Sequence, residues 1–216
     1  MKWGLFGGTF NPIHLGHLRC AEEVREMFAL DKVVFVPAAL PPLKDAQDIL
    51  PFHHREQMIK LSIRSNLSFS VTDVEHKREG KSYTIDTVRH FIDTFPDPTE
   101  LYFVLGQDAF DDITQWKEWD TLLTLCHFVV MTRPGYRGKN LADIITDNFA
   151  SRFTYDGETK GYRGPTGKSI FFRKLTFLDI SASDIRNRVK QEQSIMFLVP
   201  DPVRHYILDN SLYRTT

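Results

Sequence analysis

Two imidazoles three residues apart, His14 and His17, close the stretch GGTFNPIHLGH (7–17), which follows a short apolar run, Trp3-Gly4-Leu5-Phe6. A strand-to-helix turn needs one glycine at most, so two adjacent glycines, a proline and two histidines ask for a chemical reason. A helix start presents unpaired N–H groups and partial positive charge, both suited to phosphate. Side chains three apart there project from nearly the same face. The stretch reads as a phosphate-binding entrance, with Gly7 and Gly8 letting a ligand approach the backbone and Asn11-Pro12 making a turn. Other readings weigh against it. A Gly-Gly pair is often simple punctuation, and a histidine at a helix start is often a cap. H-x-x-H also suggests zinc, but no third and fourth ligands stand nearby and Cys20 lies further along the helix.

Three more segments carry candidate chemistry. Ile180-Ser181-Ala182-Ser183-Asp184-Ile185-Arg186 opens like a capped helix, a second place for anionic oxygens or merely an N-cap. Asp108 follows the strand-like LYFVLG (101–106), either at a ligand edge or as a helix cap. GPTGKS (164–169) tempts toward a P-loop, but the pattern needs Gly at 162, where Tyr stands, and a helix after it. Ile170-Phe171-Phe172 is strand-like instead, so the segment reads as a surface loop.

The elements that must position these residues follow from hydrophobic periodicity. WGLF (3–6), KVVFVP (32–37), FSVTD (69–73), LYFVLG (101–106) and HFVVMTRP (127–134) read as buried strands. Residues 15–30, 52–65, 83–95 and 115–125 carry helical spacing, with Leu18, Ala21, Val24, Ala29 and Leu30 as the first core stripe. Strand-helix alternation with continuous apolar strands predicts an α/β, Rossmann-like, doubly wound and mostly parallel sheet. In such a sheet ligands bind beyond the carboxyl ends of the strands, where strand order reverses. Four prolines make 37–51 a loop, and 151–169 reads as a long surface excursion. SIFFRKLTFLDI (169–180) is a strand pattern, 180–191 a capped helix, and PDPVRHYILDN (200–210) a helix with prolines at its start. One domain over 1–216, with a helical C-terminal segment from about 181, is the simplest partition.

Composition narrows the partners. The 216 residues are 42% hydrophobic and carry a formal charge of -1, with a pI near 6.7. That length can bury a real core, and near-neutral charge gives no footprint for a nucleic-acid polymer or an anionic membrane. The two cysteines, Cys20 and Cys126, sit in apolar patterns and read as reduced core residues. The apolar start is too short for a signal h-region, and no run approaches the roughly 18 apolar residues of a membrane span. A cytoplasmic location is expected, and a homo-oligomer is left open.

GGTFNPIHLGH resembles the signature of the nucleotidylyltransferase superfamily, in which a strand is followed by [ST]-x-x-P-x-H-x-G-H. ISASDIR supplies the serine-rich helix start expected near the C-terminus of that superfamily. The resemblance sharpens to the bacterial nicotinate-nucleotide adenylyltransferase family through PxxxPP (37–42), SYTIDT (82–87), LGQDAF (105–110), W-x-x-W (116–119), TRPGY (132–136) and LVPDPVRHYILDNSLYR (198–214). Pantetheine-phosphate adenylyltransferases share the first motif, but are generally shorter and are not expected to carry SYT, GQD and RPGY together. A non-catalytic nucleotide sensor on the same scaffold would tolerate losing a phosphate-handling residue, yet His14, His17, Ser181 and Arg186 are all present.

The resemblance implies that nicotinate mononucleotide and ATP give deamido-NAD and pyrophosphate in NAD biosynthesis. The mononucleotide's own phosphate would attack the α-phosphorus directly, with no covalent enzyme intermediate and with Mg²⁺ accompanying the ATP. Alignment and charge stabilisation are then the protein's tasks. His14, His17 and Arg186 are the implied catalytic residues, His17 nearest the reacting phosphorus. Gly7, Gly8, Thr9, Phe10, Gly106, Asp108, Ile180, Ser181 and Ser183 complete the implied ATP site, with Gly106 and Asp108 assigned to ribose. Trp116 is the implied pyridine platform, with Tyr83, Thr84 and the backbone near Lys117 for the nicotinate carboxylate. Lys44 and Arg133 are candidates for the mononucleotide phosphate. No protein side chain is implied as a metal ligand. The chain departs from the family in the loop PPLK (41–44), where Leu43 replaces a common histidine and removes any role assigned to it.

Overall fold

A computed structural model of the chain describes residues 1–40, 49–95, 99–132 and 141–214. Its central sheet has eight strands: β1 (Lys2–Gly8), β2 (Lys32–Pro37), β3 (Phe69–Val71), β4 (Glu100–Gly106), β5 (His127–Thr132), β6 (Thr154–Asp156), β7 (Gly161–Arg163) and β8 (Ser169–Lys174). They lie in the order β3-β2-β1-β4-β5-β8-β7-β6. From β3 to β8 every pairing is parallel, while β7 and β6 join antiparallel at one edge. The expected doubly wound architecture is present. The chain moves outward from β1 in one direction and restarts at β4 in the other, so the switch point lies between the ends of β1 and β4.

Alternation along the strands supplies a core on each face. Phe6, Val33, Phe35, Val104 and Val129 belong to one apolar cluster, and Leu5, Val34, Phe103, Leu105 and Val130 to the other. This is period-2 alternation within strands buried on both sides. Helices α1 (Leu15–Met27) and α2 (Phe52–Ile63) fill the first face. They are joined there by Ile185 and Val189 of α9 (Ala182–Lys190) and Val203 and Ile207 of α10 (Asp201–Asp209). On the second face, α4 (Thr84–Thr94) contributes Ile85, Val88 and Phe91, α5 (Gln107–Asp111) Phe110, and α6 (Trp119–Leu125) Leu122 and Leu123. Short helices α3 (Val74–Lys77), α7 (Leu141–Ile144) and α8 (Asp147–Ala150) were not legible as periodic runs, being one turn each.

Several boundaries differ from the sequence expectation for local reasons. The first helix stops at Met27, because Ala29 takes a left-handed φ of 49°. Residues 115–125 are not one helix. A 3₁₀ turn over Ile113–Gln115 is followed by extended Trp116, and Glu118 (φ 49°) precedes α6. That break leaves Trp116 at a bend, not on a helix face. The stretch 151–169 is only partly a surface excursion: β6 and β7 are a hairpin that widens the sheet, with Tyr155 and Tyr162 paired across it at 5.3 Å. Two three-residue strands are too short for alternation to show. GPTGKS is the turn from β7 to β8, closed by Gly164 N–H to the Lys168 carbonyl at 2.7 Å, with Gly167 at φ 79°. It is a hairpin turn, not a phosphate cradle. The strand pattern of 169–180 ends at Lys174, and residues 175–180 run on without regular structure. The described parts of 37–51 beyond β2 are irregular up to α2.

Candidate active site

Two cavities open at the carboxyl ends of β1 and β4 and meet at Gly106 and Asp108. One, of about 490 Å³, lies over the Gly7-Gly8-Thr9 end of β1 and extends to Ser82, Tyr83, Thr84, Trp116 and Lys117. The other, of about 310 Å³, is walled by His14, His17, Cys20 and the segment from Leu175 to Ala182. The switch-point crevice thus holds a two-part site.

The histidine pair is built by the start of α1. His14 is the N-cap residue, with extended φ and ψ of -144° and 171°, and its backbone N–H donates to His17 Nδ1 at 3.3 Å. With Nδ1 accepting, neutral His17 carries its proton on Nε2, which makes that nitrogen a donor. The two rings lie 3.7 Å apart. His14 is 7% exposed, its Nδ1 makes no hydrogen bond within the protein, and burial pushes its pKa down to about 4. Burial thus favours the neutral imidazole, which offers hydrogen bonds and no charge. A side chain at Gly16 would meet the His14 ring at 3.0 Å, so the glycine between the histidines makes room for that ring.

Gly7 and Gly8 line the first cavity, as close ligand approach requires. Packing adds a second reason for them: a Cβ on Gly7 would come within 2.8 Å of Phe103, and one on Gly8 within 2.9 Å of the buried Phe10 ring. Phe10 itself is 2% exposed and belongs to the core, lining neither cavity, and its ring packs edge-on against His17 at 5.1 Å. Gly106 also fits close ligand approach: a Cβ there would meet nothing within 4 Å, at the junction of the cavities.

At the second cavity, Ser181 is the N-cap of α9, its Oγ accepting from Asp184 N–H at 3.0 Å. Ile180, Ser181 and Ala182 line this cavity, whereas Ser183 and Arg186 line neither. Arg186 reaches back across the fold to donate to the Asn11 carbonyl at 2.9 Å. Cys20 is held as a neutral thiol, burial raising its pKa to about 11. Cys126 is buried, and both cysteines are free.

In the first cavity no side chain caps α4 at Tyr83, so leading N–H groups of that helix stand at the wall beside Thr84. Trp116 is half-buried and meets Phe103 edge-to-face at 6.3 Å. The Lys117 ammonium is 3.2 Å from both oxygens of Asp86 and 5.0 Å from the Tyr83 ring centre. It steadies the wall more than it offers a free cation. Lys44 and Arg133 fall outside the described residues.

Sequence reasoning missed the supports beneath these groups. Buried Glu75 lines the first cavity and accepts from Thr87 Oγ1 at 2.8 Å. Burial raises its pKa despite that bond. Ser82 Oγ accepts from the N–H groups of Ala39 and Leu40 at 2.9 and 3.1 Å, tying the segment after β2 to the start of α4. Arg55, 1% exposed, donates to the Thr9 carbonyl and the Leu50 carbonyl, both at 2.9 Å. Tyr213 OH donates to Asn11 Oδ1 at 2.9 Å across 202 positions of sequence. Arg55 had a visible signal: with Phe52, Ile59 and Ile63 it occupies the buried stripe of α2. A cation at a core-stripe position asks what it binds.

The comparisons with known proteins agree with this geometry. The cytidylyltransferase-like family model matches residues 5–188. A probable nicotinate-nucleotide adenylyltransferase of Geotalea uraniireducens is 44% identical over 213 residues, 99% of this chain and 98% of that protein. The chain belongs to the nicotinate-nucleotide adenylyltransferase family. Another so described, from Citrifermentans bemidjiense, is 42% identical over the same shares. Among solved structures, the nicotinic acid mononucleotide adenylyltransferase of Plasmodium falciparum complexed with NaAD superposes with a TM-score of 0.72. It is 20% identical and covers 98% of this chain and 97% of that one, which supports the shared fold. As a family member the chain is a nucleotidyltransferase enzyme. Among the described residues no helix is long and apolar enough to cross a membrane.

Proposed function

We propose that the enzyme joins nicotinate mononucleotide to ATP, releasing pyrophosphate and forming nicotinate adenine dinucleotide. The observation that carries this reading is the pair of cavities meeting at Gly106 and Asp108, with imidazoles in one and an uncapped helix start plus an indole in the other. ATP takes the His14–His17 side and the mononucleotide the Trp116 side, which sets the two phosphates facing each other near the junction. Asp108 and Gly106 serve ribose there.

The mononucleotide phosphate is already ionised near neutral pH, so no protein base is required. One of its oxygens forms a bond to the ATP α-phosphorus as the bond to pyrophosphate breaks. His17 Nε2–H and His14 donate to the phosphate oxygens as their charge grows, and the starts of α1 and α9 add partial positive charge. Ser181 supports the polyphosphate from the start of α9, while Arg186 steadies the Asn11 turn behind the histidine pair. Mg²⁺ fits as a companion of ATP. Among the described residues no three His, Cys, Asp or Glu side chains gather as a cage, and Mg²⁺ on a polyphosphate takes substrate oxygens and water. When bound it neutralises polyphosphate charge.

Acid preference follows from the acceptor wall. A carboxylate accepts at both oxygens, whereas a carboxamide presents a donor NH₂. On this reading the nicotinate carboxylate meets the N–H groups of α4 and the Thr84 hydroxyl, with the Glu75 carboxyl engaged by the Thr87 hydroxyl. The amide therefore points a donor at donors, at ~1–3 kcal/mol for each unpaired group and more where a charge is lost. Pyrophosphate release with ATP and each mononucleotide in turn tests both levels. A preference for the acid of at least ~100-fold in kcat/KM is expected. Equal use of the two would refute the donor-only wall, and no release with either would refute the reaction.

A further inference from the structure

Arg55 is a buried cation that the proposed chemistry does not use. It lies 1% exposed on the core stripe of α2, and among the described residues no carboxylate is within ion-pair distance. Among the described residues its hydrogen bonds go to backbone: Nε to the Leu50 carbonyl and one terminal nitrogen to the Thr9 carbonyl, each at 2.9 Å. Burial lowers its pKa, but a guanidinium keeps its proton at any physiological pH. Burying a charge costs free energy, which its two hydrogen bonds and the attraction of the Glu75 carboxyl offset. Holding two backbone carbonyls does not by itself require a charged side chain, so stability is an incomplete explanation of this residue.

Its place explains it better. Thr9 lines the acceptor cavity, between Gly8 and the turn that leads to the histidine pair. The same turn is held at Asn11 from three other directions: Leu50 N–H and Tyr213 OH both donate to Oδ1, and Arg186 donates to the carbonyl. Arg55 and Leu50 thus grip the turn from the α2 side, through one residue that gives its carbonyl to Arg55 and its N–H to Asn11. The contacts to Thr9 and Asn11 hold the strand end that lines the acceptor cavity just before the histidine pair.

We propose that Arg55 is a positioning residue for adenylyl transfer: through the Thr9 and Leu50 carbonyls it fixes the turn from Gly8 to Asn11, and its buried charge faces that turn from below. The proposal rests on the reaction proposed above. It acts on the alignment of the reacting phosphates, so its loss should lower turnover more than binding.

The test uses the full-length protein, ATP with nicotinate mononucleotide, and two variants, Arg55→Met and Arg55→Lys. Arg55→Met keeps the bulk and removes the charge and both hydrogen bonds. It should lower kcat by about 10- to 100-fold, the scale of a small misplacement at the reacting centre, with KM for each substrate within about threefold. Arg55→Lys keeps the charge and one hydrogen bond, and should recover about fivefold or more of that loss. A structural residue would show the reverse, a lower melting temperature with normal kcat in the folded fraction. Normal kcat in folded Arg55→Met overturns the proposal, as does Arg55→Lys with no gain over Arg55→Met. Should Arg55→Met not fold, Arg55→Lys decides alone: reduced kcat at unchanged KM supports the role, and wild-type kinetics overturn it. An inactive wild type would instead overturn the reaction itself.

Discussion

Lowering the pH from 7.5 to 5.0 tests the claim that His14 works as a neutral imidazole. Burial holds its folded pKa near 4, against an ordinary 6.5. The folded value lies below the unfolded one, so the unfolded chain takes up the proton first. The stability this neutral group preserves is fully present above pH 6.5 and is lost as the pH falls from 6.5 toward 4. At pH 5.0 the unfolded imidazole is almost wholly protonated and the folded one about one-tenth so, which amounts to about 2 kcal/mol of lost stability. His127, also pushed down to about 4 by burial, acts in the same direction. Its partial exposure reduces its share to about 1 kcal/mol. The raised carboxyl of Glu75 acts in the opposite direction. Comparing wild type with His14→Gln cancels everything but His14. Urea unfolding of both proteins at the two pH values should show the wild type losing about 2 kcal/mol more than the variant. An equal loss in the two would refute the buried neutral state, and with it the hydrogen-bonding role assigned to His14.

Removing His17 strikes a donor to the transferring phosphate, so His17→Ala should reduce kcat by at least ~100-fold while ATP binding weakens less. Near-normal turnover in the folded variant would refute the assignment. Lys168 sits in the hairpin turn between β7 and β8, at the opposite end of β8 from the site, so Lys168→Ala should leave steady-state turnover within about threefold. A hundredfold loss there would mean the turn contacts ATP after all.

What the sequence determined was local. The alternation of apolar runs with helical stripes specified the parallel doubly wound sheet, because a strand buried on both faces leaves a continuous apolar run and a helix covering it a stripe at period 3.6. The GGTFNPIHLGH stretch placed His14 and His17 at the start of α1 because a strand end, a turn and a helix start are encoded within eleven neighbouring residues. The serine opening of α9 was legible for the same reason. Tertiary structure decided what depends on partners far apart in the chain. Phe103 and Phe10 fold against Gly7 and Gly8, a packing demand that the local sequence does not show. Trp116 faces the cavity because Glu118 turns the backbone before α6 can begin. The hairpin of β6 and β7 exists because β8 offers it an edge to pair with, not because its two short strands announce themselves. Arg55, Glu75 and Tyr213 acquire their roles only when Thr9, Thr87 and Asn11 come into hydrogen-bonding reach. Periodicity records that a side chain is buried; only the packed chain determines which group it meets there.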